Sequence, residues 1–150
     1  LLHDIGKIIL SRYVPEDFNR VIEFVQEKNV LLINAEQSIL GFTHSEVGSF
    51  IAEKWRLPDK LISGILLHHH PSKEEEYLEF VSVIHLADII CRAKDIGSGG
   101  DKKIPMIDEV AFNKLNLDFD TIGEIMLVTK RTVMETEIFN TREWLNRKKD

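Results

Sequence analysis

The sequence predicts an all-α domain, a compact multi-helix bundle, from three observations. Apolar residues recur at helical spacing in nearly every segment, period-two alternation is absent, and proline and capping-box signals punctuate the chain at helix-length intervals. Residues 1–13 read as a first helix, stopped before Pro15. Residues 16–28 form a second, and a short third covers roughly 35–41, leading into Gly41. Thr43-His44-Ser45-Glu46 fits a capping box, in which Thr and Glu satisfy each other's free amides, and should open a helix to Trp55. Leu57-Pro58 breaks and restarts the chain. The next helix is expected over 59–70, ended by Pro71. Ser72-Lys73-Glu74-Glu75 matches a second capping box and should open a long helix to about Ala93. Gly97-Ser98-Gly99-Gly100 is a flexible loop extended by Pro105. Asp108 should cap a short helix to about Lys114. Asp118 should cap a last one to about Arg147, with apolar positions Ile122, Ile125, Met126, Thr129, Val133 and Ile138.

A chain of 150 residues with 43% hydrophobic and 29% charged content fits one soluble domain, with no repeat or low-complexity tract. Its formal net charge of −6 disfavours direct DNA binding. No apolar run approaches the roughly 20 residues of a membrane span, and the start lacks the pattern of a signal peptide. A lone Cys91 rules out a disulfide framework among these residues and points to a reducing cytoplasm. The sequence opens without Met and inside a helical pattern, so residues 1–150 are read as a single domain truncated at its N-terminus from a longer protein.

Four histidine-bearing segments follow one another: His3-Asp4, His44, His68-His69-His70, and His85 with Asp88. Histidine and aspartate are the side chains that Zn, Mn or Fe recruit. The segment from Phe80 to Cys91 is apolar on almost every side, as in a buried helix, yet Ser82, His85, Asp88 and Arg92 make one polar stripe. Asp88 in such a helix needs a cation or donors. The candidates are a metal and an ion pair with Arg92 one turn on. His44 shares a stripe with Gly48, Ile51 and Trp55 that points inward, and Gly48 would admit a close backbone approach. A core histidine bonded to a carbonyl is the alternative there. His68 and His69 continue the apolar stripe of Leu61, Ile62 and Ile65, with His69 nearest its centre and His70 near the edge. They suit ligands or a favourable helix C-terminus equally. By periodicity alone, His3, Asp4 and Lys7 lie on or beside the polar face of an ordinary amphipathic helix whose apolar face is Leu1, Leu2, Ile5, Ile8 and Ile9.

In combination these motifs resemble a known family. His3-Asp4-Ile5-Gly6-Lys7 resembles the signature of the HD superfamily of metal-dependent phosphohydrolases. His44-x-x-x-Gly48, His68-His69 and Asp88 follow in the order used by its HD-GYP branch. The closer resemblance is to the HDOD branch, a bacterial signalling output domain. It is carried by Gly41-Phe42-Thr43-His44-Ser45-Glu46-Val47-Gly48, Trp55-Arg56-Leu57-Pro58, His68-His69-His70-Pro71, His85-Leu86-Ala87-Asp88 and the Gly97–Gly100 loop with Ile104-Pro105. It spans residues 1 to about 117. His70-Pro71-Ser72-Lys73 stands where HD-GYP proteins continue with Glu and an Asp-Gly-x-Gly-Tyr-Pro stretch. The HD superfamily also draws a first His from a helix upstream of His-Asp.

The resemblance implies that His3, Asp4, His44, His68, His69 and Asp88 hold one or two divalent metals (Fe, Mn, Zn, Ni or Mg), with Asp4 as the bridging carboxylate. As catalytic residues it implies Asp4 and Lys7, Lys7 holding a phosphate during in-line displacement at phosphorus. His85 would orient Asp88 from outside the ligand set. Two functions follow as expectations. One is a regulatory output module, partnered by a sensory or receiver domain or a signalling protein. The other is an active phosphohydrolase or phosphodiesterase acting on a nucleotide or other phosphoester.

Overall fold

The computed structural model describes residues 2–147. Among these every regular element is a helix, as expected. The helices are α1 (Ile5–Tyr13), α2 (Pro15–Lys28), α3 (Leu32–Ile39), α4 (His44–Lys54), α5 (Asp59–Leu67), α6 (Leu78–Ala93), α7 (Glu109–Lys114) and α8 (Phe119–Arg147), with a 3-10 turn at Pro71–Lys73. The chain divides into two units, Leu1–Asn116 and Leu117–Asp150. In the second, Asp118 accepts the Thr121 amide at 2.7 Å and caps α8 as predicted. The side chain of Ile138, counted among α8's apolar positions, and Leu1 lie outside the described residues.

In the first unit α4 packs against α1 and α5, α2 against α3, and α6 against α5 and α7. The apolar core around Val21, Val25, Leu32 and Ala35 seats α3 on α2. Helix α4 opens with the predicted capping box: Thr43 Oγ1 accepts the Glu46 amide, and Glu46 Oε2 accepts the Thr43 amide at 2.7 Å. Two glycines set its distance from α1. A Cβ on Gly6 would stand 1.9 Å from the His44 carbonyl oxygen, and one on Gly48 would stand 3.4 Å from the Gly6 nitrogen. The two main chains are therefore in direct contact.

Several sequence expectations are corrected. Helix α1 starts at Ile5, so His3 and Asp4 lie in the turn before it, with Asp4 at the N-cap position. Its buried residues are Gly6 and Leu10, while Ile8 is 63% exposed, so the face read as polar is the covered one. Glycine carries no hydrophobic signal, which is why periodicity chose the wrong side. On α4 the inward stripe is His44 followed by the small residues Ser45, Gly48, Ser49 and Ala52, and Trp55 faces solvent. Helix α6 is not buried all round, since Val83 is exposed. The Ser72–Glu75 capping box does not form. Glu74 Oε1 instead accepts the amides of Glu75, Glu76 and Tyr77, and α6 begins only at Leu78.

Candidate metal centre

Helix ends and one helix interior deliver the candidate residues. Asp4 precedes α1, His44 is the first residue of α4, His68 and His69 follow the last turn of α5, and Asp88 lies within α6. All six predicted ligands come together. Asp4 is the hub: its Oδ1 lies 3.3 Å from His44 Nε2 and 3.8 Å from His68 Nε2, and its Oδ2 lies 3.5 Å from His3 Nε2. His3 Nε2 is 3.8 Å from Asp88 Oδ1. His69 Nε2 sits 3.1 Å from His44 Nε2. Two overlapping groups of three ligand atoms result, His44/His68/His69 and His3/Asp4/His68, with His68 common to both.

The outer bonds aim these rings. His68 Nδ1 donates to the Ile65 carbonyl at 2.8 Å, which leaves the Nε2 lone pair facing Asp4. His44 Nδ1 donates to Glu36 Oε2 at 2.6 Å, with the same result for its Nε2. His3 Nε2, Asp4 Oδ1 and His68 Nε2 are buried and have no hydrogen-bond partner among the described residues. Such orphans are rare in a folded core and call for an ion or water. Ligands about 2.1 Å from one metal lie roughly 3.0–3.4 Å apart, close to the spacings found. The donor set fits one or two first-row divalent ions.

Electrostatics favour the ligand forms of Asp4, Asp88, His68 and His69, and the protonated forms of His3 and His44. Burial tends to raise the Asp4 pKa, but His3, His44 and Lys7 hold it well below the usual carboxylate range. Asp88 is likewise lowered: burial opposes the shift, and His3 and Arg92 drive it. Burial, then repulsion from His3 and His44, takes His68 down to about 3. Burial and the neighbouring histidines lower His69. His3 moves the other way, to about 9: burial opposes protonation, but Asp4 and Asp88 outweigh it. His44 is also raised, burial being outweighed by Asp4 and Glu36.

The remaining predicted residues take other places. Lys7 Nζ donates to Asp4 Oδ2 at 2.8 Å and to the Gly99 carbonyl at 3.1 Å, so it ties the 97–100 loop to the hub. Arg92 does not pair with Asp88. It donates to Asp101, whose other oxygen accepts the Leu32 amide at 2.8 Å, and to the Lys103 carbonyl. His85 does not orient Asp88 but bridges His68 to α7: its Nδ1 donates to the His68 carbonyl at 2.7 Å, and its Nε2 accepts the Asp108 amide at 3.0 Å. His68, not His69, is the deepest of the triplet, and His70 is exposed. Sequence reasoning missed Glu36. It was detectable as a carboxylate on the Leu32, Ala35, Ile39, Leu40 stripe of α3, where an apolar residue is the norm.

An all-helical scaffold that gathers His-Asp, a helix-opening His and a His pair around one point has the form of an HD-type domain. The HDOD domain family matches residues 1–71, a span that holds every predicted ligand except Asp88. A solved structure, described as an HDOD domain protein with unknown function from Geobacter sulfurreducens, superposes with a TM-score of 0.69 at 24% identity, over 90% of this chain and 48% of that one. An uncharacterized protein of Treponema pallidum (strain Nichols) is 29% identical over 96 residues, 63% of this chain and 19% of that protein. The chain is thus similar to HDOD domains, the family match covering residues 1–71, and it spans about half of the first of these relatives and about a fifth of the second. No helix among the described residues is long and apolar enough to cross a membrane.

Proposed function

We propose that the chain is a regulatory output module whose His/Asp centre takes one or two divalent metal ions, and that its partner is a sensory or receiver domain or another signalling protein. The observation that carries the metal part is the set of orphaned, buried ligand atoms on His3, Asp4 and His68, gathered within a few ångströms of His44, His69 and Asp88. His3, Asp4, His44, His68, His69 and Asp88 would hold the ions. A bound ion would supply Lewis acidity or, with no reaction to serve, a rigid cross-link between α1, α4, α5 and α6.

The regulatory reading draws support from space. The cavity on the His44/His69 side, bounded also by Lys7, Arg92, Gly99 and Pro105, is about 10 Å³. That is close to the volume one water needs and far short of a phosphoester. Lys7, expected to hold a phosphate, already has both the Asp4 carboxylate and the Gly99 carbonyl as partners. A second reading, a metal-dependent phosphohydrolase, is favoured by one observation: the side chains of His3 and Asp4 keep 21% and 28% exposure, so the hub is open on that side.

Metal analysis of purified protein beside a His3→Ala/Asp4→Ala variant tests the metal part. Stoichiometric metal in the wild type and none in the variant is expected. No metal in either overturns it and leaves a scaffold. Metal-loaded protein is then assayed on a chromogenic phosphodiester and a nucleotide panel. Absence of turnover is expected, and turnover lost in the variant would establish the hydrolase reading instead.

A further inference from the structure

We propose that Glu36 is a positioning residue for the metal centre, holding the His44 ring so that Nε2 faces Asp4 and lending the ligand its negative charge. The inference rests on the metal reading above and adds a residue outside the family motifs quoted for this chain. Glu36 has no solvent exposure, and on α3 it is next in sequence to Ala35 and one turn from Leu32, both of which belong to the apolar core shared with α2. A carboxylate there is costly unless it is paired. Packing alone would be served better by an apolar residue.

What Glu36 has instead is one partner residue, held twice. Its Oε2 accepts the His44 main-chain amide at 2.9 Å and His44 Nδ1 at 2.6 Å. The amide is one of the first-turn donors of α4 that no helical carbonyl can satisfy. The capping box of Thr43 and Glu46 serves other groups and leaves this one to Glu36. The two bonds fix the ring relative to its own backbone, because amide and imidazole converge on a single oxygen. They fix the proton as well: a carboxylate oxygen accepts, so Nδ1 carries the hydrogen and Nε2 is the ligand atom. Nε2 then lies 3.3 Å from Asp4 Oδ1 and 3.1 Å from His69 Nε2. A carboxylate behind a ligating imidazole makes the ring a stronger donor to a cation, and loss of such partners typically lowers metal affinity 10- to 100-fold.

A helix cap and a positioning residue make different predictions for Glu36→Gln and Glu36→Leu. The amide oxygen of Gln can still accept both bonds but brings no charge, whereas Leu removes bonds and charge together. Zinc affinity is measured by competition with a chromogenic chelator, and the His44 ring by nitrogen-15 and proton NMR of zinc-loaded protein. The wild type is expected to show a low-field Nδ1–H resonance for His44. Glu36→Gln should fold with near-wild-type stability, keep that proton at higher field, and bind zinc about tenfold more weakly. Glu36→Leu should lose the resonance and bind about 100-fold more weakly. If the Leu variant does not fold, the Gln variant and the wild-type spectrum decide. Wild-type zinc affinity in Glu36→Gln, or a His44 ring protonated at Nε2 in zinc-loaded wild type, overturns the positioning role. A wild type that binds no zinc fails the metal reading itself, while its His44 spectrum still shows whether Glu36 holds the ring.

Discussion

Gly6→Ala should destabilise the protein, although alanine is the better helix former. In an isolated helix the change gains about 1 kcal/mol. Here the new Cβ would meet the His44 carbonyl oxygen at 1.9 Å, its carbon at 2.7 Å and the Gly48 nitrogen at 3.0 Å. All three are main-chain atoms, so no rotamer change relieves the clash. The helices must separate by roughly 1.5 Å to restore ordinary contact. Overpacking of this kind costs about 1–3 kcal/mol, and a rigid neighbour puts it at the upper end. Against the propensity gain, the net loss is about 2 kcal/mol, a fall of roughly 4–8 °C in melting temperature for a chain of this size. The same movement opens the 3.3 Å separation of Asp4 Oδ1 and His44 Nε2 well past the roughly 0.5 Å tolerance of a functional site. Thermal and urea unfolding, beside zinc titration, read both effects. A Gly6→Ala protein as stable as the wild type refutes the backbone contact, and one that is destabilised but keeps zinc affinity refutes its link to the centre.

Gly123→Ala is the matched control. Nothing stands within 4 Å of its added Cβ, so helix propensity should act alone and stabilise by about 0.5–1 kcal/mol in urea unfolding. Lys7→Met removes the donor to Asp4 and Gly99, and amide exchange over residues 97–101 should accelerate about tenfold, as expected for the loss of one charged hydrogen bond. Asp108→Ala strips the α7 cap, which accepts the Val110 and Ala111 amides, and should cost about 1 kcal/mol. Asp108 is also pH-sensitive. Burial opposes ionisation, but bonds from Ser72, Ala111 and Val110 together outweigh it and lower its pKa. Its contribution is therefore full above the ordinary carboxylate pKa and lost as pH falls through the lower, folded-state value, so the Ala variant should show a shallower acid transition.

The sequence made some of this centre readable by physics and some only by pattern. Asp88 was readable by physics, because a carboxylate in the Val81–Ile90 run demands a partner. Of the two partners that the sequence offers it, a metal and Arg92, the second is instead held by Asp101, nine residues beyond Arg92, which helical periodicity cannot see. His44 was readable from its capping box and the glycine one turn on. His3-Asp4 was readable only through resemblance, since the side of α1 that packs is made by a glycine and the exposed side carries Ile8. The second capping-box match failed because Ser72 lies inside the 3-10 turn that Pro71 opens, and Glu74, not Ser72, accepts the amides that follow. Glu36 needed no new principle: an acid on an apolar stripe signals a buried partner, but its partner is eight residues away, across the Gly41 turn.

The touching backbones of α1 and α4 work as a gauge block. The spacing of Asp4 and His44 is referred to peptide atoms, not to the sizes of core side chains. Core positions such as Leu10, Ala52 and Ile65 can therefore drift over evolutionary time, changing how readily the chain melts without recalibrating the distance between the two residues. The same gauge persists when a ligand is replaced. A relative that has lost a histidine but kept glycine at both gauge positions would retain the original dimension, and a single reversion could restore a centre of the same size.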